Sequence, residues 1–138
     1  MSLYCTFIVD RFFFGVPVDH IQEVVRHQDM SCVPLAPNEV SGLINLRGQI
    51  VTAIDLRRRL HLPPAKGDRK AMNVLIKTPE GAVSLLVDQI EDVLEVPAEG
   101  VERPPETLQG EVRTLITGAC KLKDRLLLLL DTQKTIEL

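Results

Sequence analysis

Short apolar runs alternate with polar positions along the whole chain and are broken at close intervals by Gly, Pro, Asp or Asn. Residues 3–9 predict a first strand, Asp10-Arg11 a turn, and residues 12–18 a second strand with Phe12, Phe14, Val16 and Val18 on one face. Residues 19–25 (DHIQEVV) start as a bend or short helix and continue as a strand. Between 27 and 41, Pro34 and Pro37 interrupt regular structure. Residues 42–60, GLINLRGQIVTAIDLRRRL, then read as strand, tight turn at Arg47-Gly48, second strand, and a helical turn opened by Asp55. The apolar runs there are short, β-branched and bounded by Gly, which favours strands over helix. Asp55 suits an N-cap, since its carboxylate accepts from the free N–H groups of the next turn. After a loop at 62–70, residues 73–87 form a hairpin turning at Thr78-Pro79-Glu80-Gly81. Residues 88–96 are a bend plus strand, 97–111 a second loop, 115–122 and 125–130 a last hairpin, and Asp131 caps a terminal helical turn.

The pattern repeats. Shifted by 69, VDHIQEVV at 18–25 falls on VDQIEDVL at 87–94, and Phe14, Val16 and Val18 fall on Val83, Leu85 and Val87. Shifted by 76, GLINLRGQIVTAIDL falls on GACKLKDRLLLLLDT, so that Gly42 meets Gly118 and Asp55 meets Asp131. Arg47-Gly48 meets Lys123-Asp124, so the second copy lacks the tight Arg-Gly tip. Five strands in this order close readily into a small barrel. The expected fold is all-β with short helices. One domain, 1–138, is built from two pseudo-repeated β-barrel subdomains, cut either as 15–70 against 1–14 plus 71–138 or as the simple halves 1–70 and 71–138. Residues 126–130 are all Leu, with no polar alternation. Both faces of that strand should be covered, which places it at the seam.

Composition narrows the class. A chain of 138 residues buries roughly 68–70% of its unfolded surface, enough for one stable domain. Apolar residues are 45% of the chain and aromatics only 4%, so the core is aliphatic and leans to β. A net charge of −3 supplies no global field toward nucleic acid or an acidic membrane. The three cysteines, Cys5, Cys32 and Cys120, have neither CxxC spacing nor an even count, and read as reduced, mostly buried thiols of a cytoplasmic protein. No signal peptide is expected from MSLYCTF, and no apolar run approaches the ~20 residues of a membrane helix.

Catalytic and metal chemistry find no pattern. His20, His27 and His61 lack paired ligand spacing, no serine sits in a GxSxG elbow, and the glycines form no phosphate loop. No catalytic residue, metal or cofactor is therefore expected. Arg57, Arg58, Arg59, Lys66, Arg69 and Lys70 cluster without aromatics, as a solvated face or a surface for an acidic protein. Arg47 stands out. An arginine at a tight turn adds little to stability, yet it presents a planar fork suited to a carboxylate.

The run VPLAPNEVSGLINLRGQIVTAIDLRRRL resembles the CheW-like family of chemotaxis coupling proteins, and the resemblance extends from FIVDRFFFGVPVDHIQEVV to the last strand. The Asn45-Leu46-Arg47-Gly48 turn followed by Asp55-Leu56-Arg57 is its most specific part. The resemblance implies two packed five-stranded SH3-like β-barrels around a shared core. It also implies a non-enzymatic adaptor between methyl-accepting chemoreceptors and a CheA-type histidine kinase in cytoplasmic receptor arrays. The first barrel would face the kinase regulatory domain, and a helix of the receptor tip would dock between barrels. Matching positions on the coupling side are Ile21, Glu23, Gly42, Asn45, Arg47 and Gly48; on the receptor side they are Ile90 and Val93. Glu23 and Arg47 are expected to pair. Ala53 replaces the family's usual Pro, and the absence of sequence before the first strand puts any contact made by a terminal extension in doubt. The alternative is a CheW-like scaffold for another output, such as twitching motility or polar localisation, that binds one of these partners.

Overall fold

The computed structural model describes residues 2–67 and 70–138. Its strands are β1 (Ser2–Val9), β2 (Phe12–Pro17), β3 (Ile21–Val25), β4 (Val40–Leu46), β5 (Gln49–Asp55), β6 (Met72–Thr78), β7 (Gly81–Val87), β8 (Gln89–Val96), β9 (Val101–Glu102), β10 (Ile116–Lys121) and β11 (Leu126–Leu130). Short α-helices, α1 (Leu56–Arg59), α2 (Gly110–Thr114) and α3 (Thr132–Ile136), follow β5, the second loop and β11. Asp55 caps α1 by accepting from the N–H groups of Arg57 and Arg58, and Asp131 caps α3 by accepting from that of Lys134.

The strands make two sheets, β3-β6-β7-β5-β4 and β8-β1-β2-β11-β10-β9. The sheets cross the boundary near residue 70. Strands from 21–55 pair with 72–87, and strands from 2–17 pair with 89–130. The exchange runs through two parallel ladders, β5 with β7 and β11 with β2. The repeat survives at the level of register. Thr52 pairs with Val83 and Leu128 with Phe14, and these pairs are related by the 76 and 69 shifts. Register slips recur at matching places: between Ile21 and Glu23 on β3 and between Cys5 and Phe7 on β1, then between Val40 and Gly42 on β4 and between Ile116 and Gly118 on β10.

Two expectations need correction. The second sheet has six strands rather than five, and neither ladder closes on itself among the described residues. The sixth is β9, inside the segment 97–111 expected to be a loop, at whose end α2 begins. β9 lies against β10 because Gly118 leaves room: a Cβ there would stand 2.8 Å from Val101 Cγ1 and 3.0 Å from the Glu102 carbonyl. The first sheet carries a reduced version, a single bridge from Ser31 to Leu43 beside Gly42.

A further correction concerns β2, which buries both faces. Phe14 and Val16 enter a core shared by both sheets, with Phe7, Ile54, Ile76, Leu85, Leu115 and Leu128. Phe13 enters a second core with Val96, Cys120, Leu127 and Leu129. Alternation predicts one covered face, but β2 sits centrally in its sheet next to β11. The all-leucine β11 is covered on both faces, as its lack of alternation requires.

Candidate partner-binding surfaces

The β4–β5 hairpin turns on two residues, Arg47 at φ +53° and Gly48 at φ +87°. Positive φ at both central positions is the type I′ geometry that matches strand twist. Glycine enters it freely, whereas an L-residue such as Arg costs roughly 1–2 kcal/mol there. Asn45 steadies the turn, its Oδ1 accepting from the Gly48 N–H at 3.0 Å.

The expected pair forms: the Arg47 guanidinium donates to Glu23 on β3. β3 and β4 are the two edges of the first sheet, so this contact joins edges that no ladder connects. With 66% of the Arg47 side chain exposed, the pair contributes less than about 1 kcal/mol. Most of the guanidinium's donors remain available to a carboxylate from outside.

The proposed site residues fall into two groups. Glu23, Asn45, Arg47 and Gly48 gather at one end of the first sheet, with Gly42 buried farther along β4. Ile90 and Val93 lie on β8, an edge of the second sheet. Ile21 and Ile90 point inward. Both pack against the shared core, paired with Ile76 and Phe7. The large apolar residue that each of these strands exposes is a valine: Val24 on β3 at 36% and Val93 on β8 at 55%. Sequence reasoning passed over Val24, although the 69 shift sets it under Val93. Glu91, Asp92 and Glu95 surround Val93 with acid, and Glu91 holds Arg125, whose guanidinium stacks 3.6 Å over the Phe13 ring.

The basic stretch divides: Arg57 and Arg59 find their acids within this chain, while Arg58 is exposed beside Asp55. Arg57, with 14% of its side chain exposed, clamps Asp88 through two nitrogens at 2.9 and 2.7 Å, and reaches Asp10 at 3.2 Å and the Pro63 carbonyl at 2.7 Å. Hydrogen bonding to Asp88 raises the Arg57 pKa further above its ordinary value. Arg59 donates to the Thr135, Lys134 and Glu137 carbonyls and to Glu111. With α1 a single turn long, alternate arginines diverge to different neighbours. Lys66 and Lys70 remain exposed, and Arg69 lies outside the described residues.

Cys32 also departs from expectation. It is exposed, whereas its neighbour Val33 is half-buried; Cys5 and Cys120 are buried, and burial pushes the Cys5 thiol pKa up. His20 is exposed, its Nδ1 3.2 Å from Thr132 Oγ1. Among the described residues, no three His, Cys, Asp or Glu side chains form a group that could hold a metal ion. No helix among them is long and apolar enough to cross a membrane.

Comparison with known proteins agrees with this architecture. The model of the CheW-like domain matches residues 4–138. A chemotaxis protein CheW of Treponema pallidum is 30% identical over 133 residues, covering 94% of this chain and 78% of that protein. Its counterpart in Bacillus subtilis is 28% identical over 131 residues, covering 95% and 84%. In fold, the chain superposes on the scaffolding protein TtCheW of Thermoanaerobacter tengcongensis with a TM-score of 0.88 at 21% identity, over 99% of this chain and 93% of the other. With two pseudo-symmetric sheets, a shared core and an NLRG hairpin in the matched span, the chain belongs to the CheW-like family of chemotaxis proteins.

Proposed function

We propose that this chain is a coupling adaptor, without catalysis of its own, that holds a CheA-type histidine kinase and the cytoplasmic tip of methyl-accepting chemoreceptors in one geometry within a cytoplasmic array. Two surfaces serve the two partners. The end of the first sheet around Glu23, Arg47 and the exposed Val24 receives the kinase regulatory domain. The β8 side around Val93 receives an amphipathic receptor helix, whose apolar face would cover the valine. Ile21 and Ile90 support these surfaces from within.

One observation carries the proposal: a left-handed arginine at a rigid turn, mostly exposed and held by one carboxylate, at the tip that the pseudo-repeat lacks. The fork is oriented before any partner arrives, which lowers the ordering cost of binding. The experiment is co-purification with a kinase regulatory domain and, separately, a receptor tip. Arg47→Glu is expected to abolish kinase binding and array assembly while the chain stays folded. Swapping the charges, Glu23→Arg with Arg47→Glu, should restore the internal pair without restoring kinase binding. If Arg47→Glu leaves both binding and assembly intact, the Arg47 assignment is wrong.

A further inference from the structure

The loop between β3 and β4 holds up a leucine in two unfavourable states at once. Leu35 is fully exposed. It also stands at φ +63° in the third position of a turn, after Pro34, where the Ala36 N–H donates to the Val33 carbonyl at 3.4 Å. That position belongs to Gly or Asn, because a Cβ crowds the following carbonyl oxygen there. Neither the strain nor the exposure is offset by any packing of Leu35 in the free chain. Conformations of this kind persist where the surroundings impose them, and they cluster at binding sites.

The surroundings do impose it. Ser31 and Leu43 exchange two backbone hydrogen bonds of 2.9 Å, the Val40 N–H donates to the Pro37 carbonyl at 3.0 Å, and Arg58 donates to the Asn38 carbonyl at 3.2 Å. Gly42 is the seat of this loop, since a Cβ on it would stand 2.7 Å from the Ser31 carbonyl oxygen and 3.1 Å from Met30 Cβ. No charged residue lies between Ser31 and Asn38, so the raised segment is apolar or neutral throughout.

We infer that Leu35 is an anchor side chain, held out by the loop that Gly42 seats, which enters an uncharged apolar pocket on a globular protein partner. Gly42 then serves binding by positioning the loop and does not itself touch the partner. The inference rests on the adaptor reading above and takes the kinase regulatory domain as that partner. A single protruding side chain needs a concave pocket, which a globular domain carries; a receptor helix is convex and offers ridges.

The test measures binding of purified kinase regulatory domain to the wild-type chain, Leu35→Asn and the control Leu138→Asn, together with denaturant midpoints. Maleimide labelling of Cys32, the exposed thiol of the loop, supplies a local footprint. Leu35→Asn is expected to unfold at higher denaturant and yet to bind about tenfold more weakly or worse, while Leu138→Asn binds like wild type. The kinase domain should slow Cys32 labelling of the wild-type chain, and a receptor tip fragment should not. Gly42→Ala should speed Cys32 labelling and weaken binding; the Leu35 measurements do not depend on that variant folding. Wild-type binding by Leu35→Asn, Cys32 left unprotected in the complex, or protection by the receptor tip alone overturns this inference and leaves the adaptor reading standing. A wild-type chain that binds neither fragment overturns both.

Discussion

Arg57 and Arg47 show how differently two arginines of one chain are used. Arg57 is nearly enclosed and serves Asp88, Asp10 and the Pro63 carbonyl together, so removing it takes a charged partner from two carboxylates in a partly dry junction. Arg57→Ala is expected to lower stability by about 3 kcal/mol, read from urea midpoints. Arg57→Lys should recover part of that, because a lysine keeps the charge but cannot form the two-pronged contact. Arg47→Ala should cost less than about 1 kcal/mol, its consequence falling on partners instead. Cys5 adds a pH signature. Burial raises its pKa in the folded chain, so its contribution is complete below the ordinary thiol range near pH 8.5. It declines as pH rises from there toward the raised folded value, because the unfolded chain ionises first. Cys5→Ala should flatten that alkaline decline in the urea midpoint.

Among the elements, the two bulged hairpins are the informative pair. β4–β5 and β10–β11 slip register at matching residues, and each bulge ends at a glycine over which another segment passes. In one case the passing segment is the Ser31 bridge; in the other it is β9. Gly118→Ala should push β9 off β10 at a cost of roughly 1–3 kcal/mol, seen as faster amide exchange at Glu102 and Ala119. α3 depends on its neighbours too. A five-residue helix is too short to be stable alone, and here Arg59 takes up carbonyls at its C-terminal end while Asp131 satisfies its start.

For the whole molecule, the decisive feature is strand exchange between the halves. β5 has β7 on one side, and β2 has β11, so each half contains a central strand whose partner is in the other. Residues 1–70 or 71–138 expressed alone are expected to remain unfolded by far-UV circular dichroism, with structure returning when the two are mixed. Independent folding of either fragment would mean that the exchange is not required for stability. The shared core, drawn from both sheets, gives the physical reason: neither half holds enough apolar surface of its own to close it. Arg57 and Arg59 add contacts from α1 to β1–β2 and to α3, fixing how the sheets meet.

The amino-acid sequence by itself determined every strand except β9, the capped helical turns, the two repeat shifts and the Arg47-Gly48 tip. All of these depend on local periodicity, turn chemistry or self-comparison, which a linear chain displays. The pairing of Glu23 with Arg47, 24 residues apart, is an expectation of the family resemblance instead. Only the tertiary structure decided the rest. It set the parallel ladders across the halves, the sixth strand, the second covered face of β2, the inward turn of Ile21 and Ile90, and the internal pairing of Arg57 and Arg59. It also revealed Leu35, because exposure and a left-handed backbone leave no mark in a pattern of apolar and polar letters. Periodicity states that a strand has two faces. Which of them ends up covered, and by what, is set by segments far away along the chain.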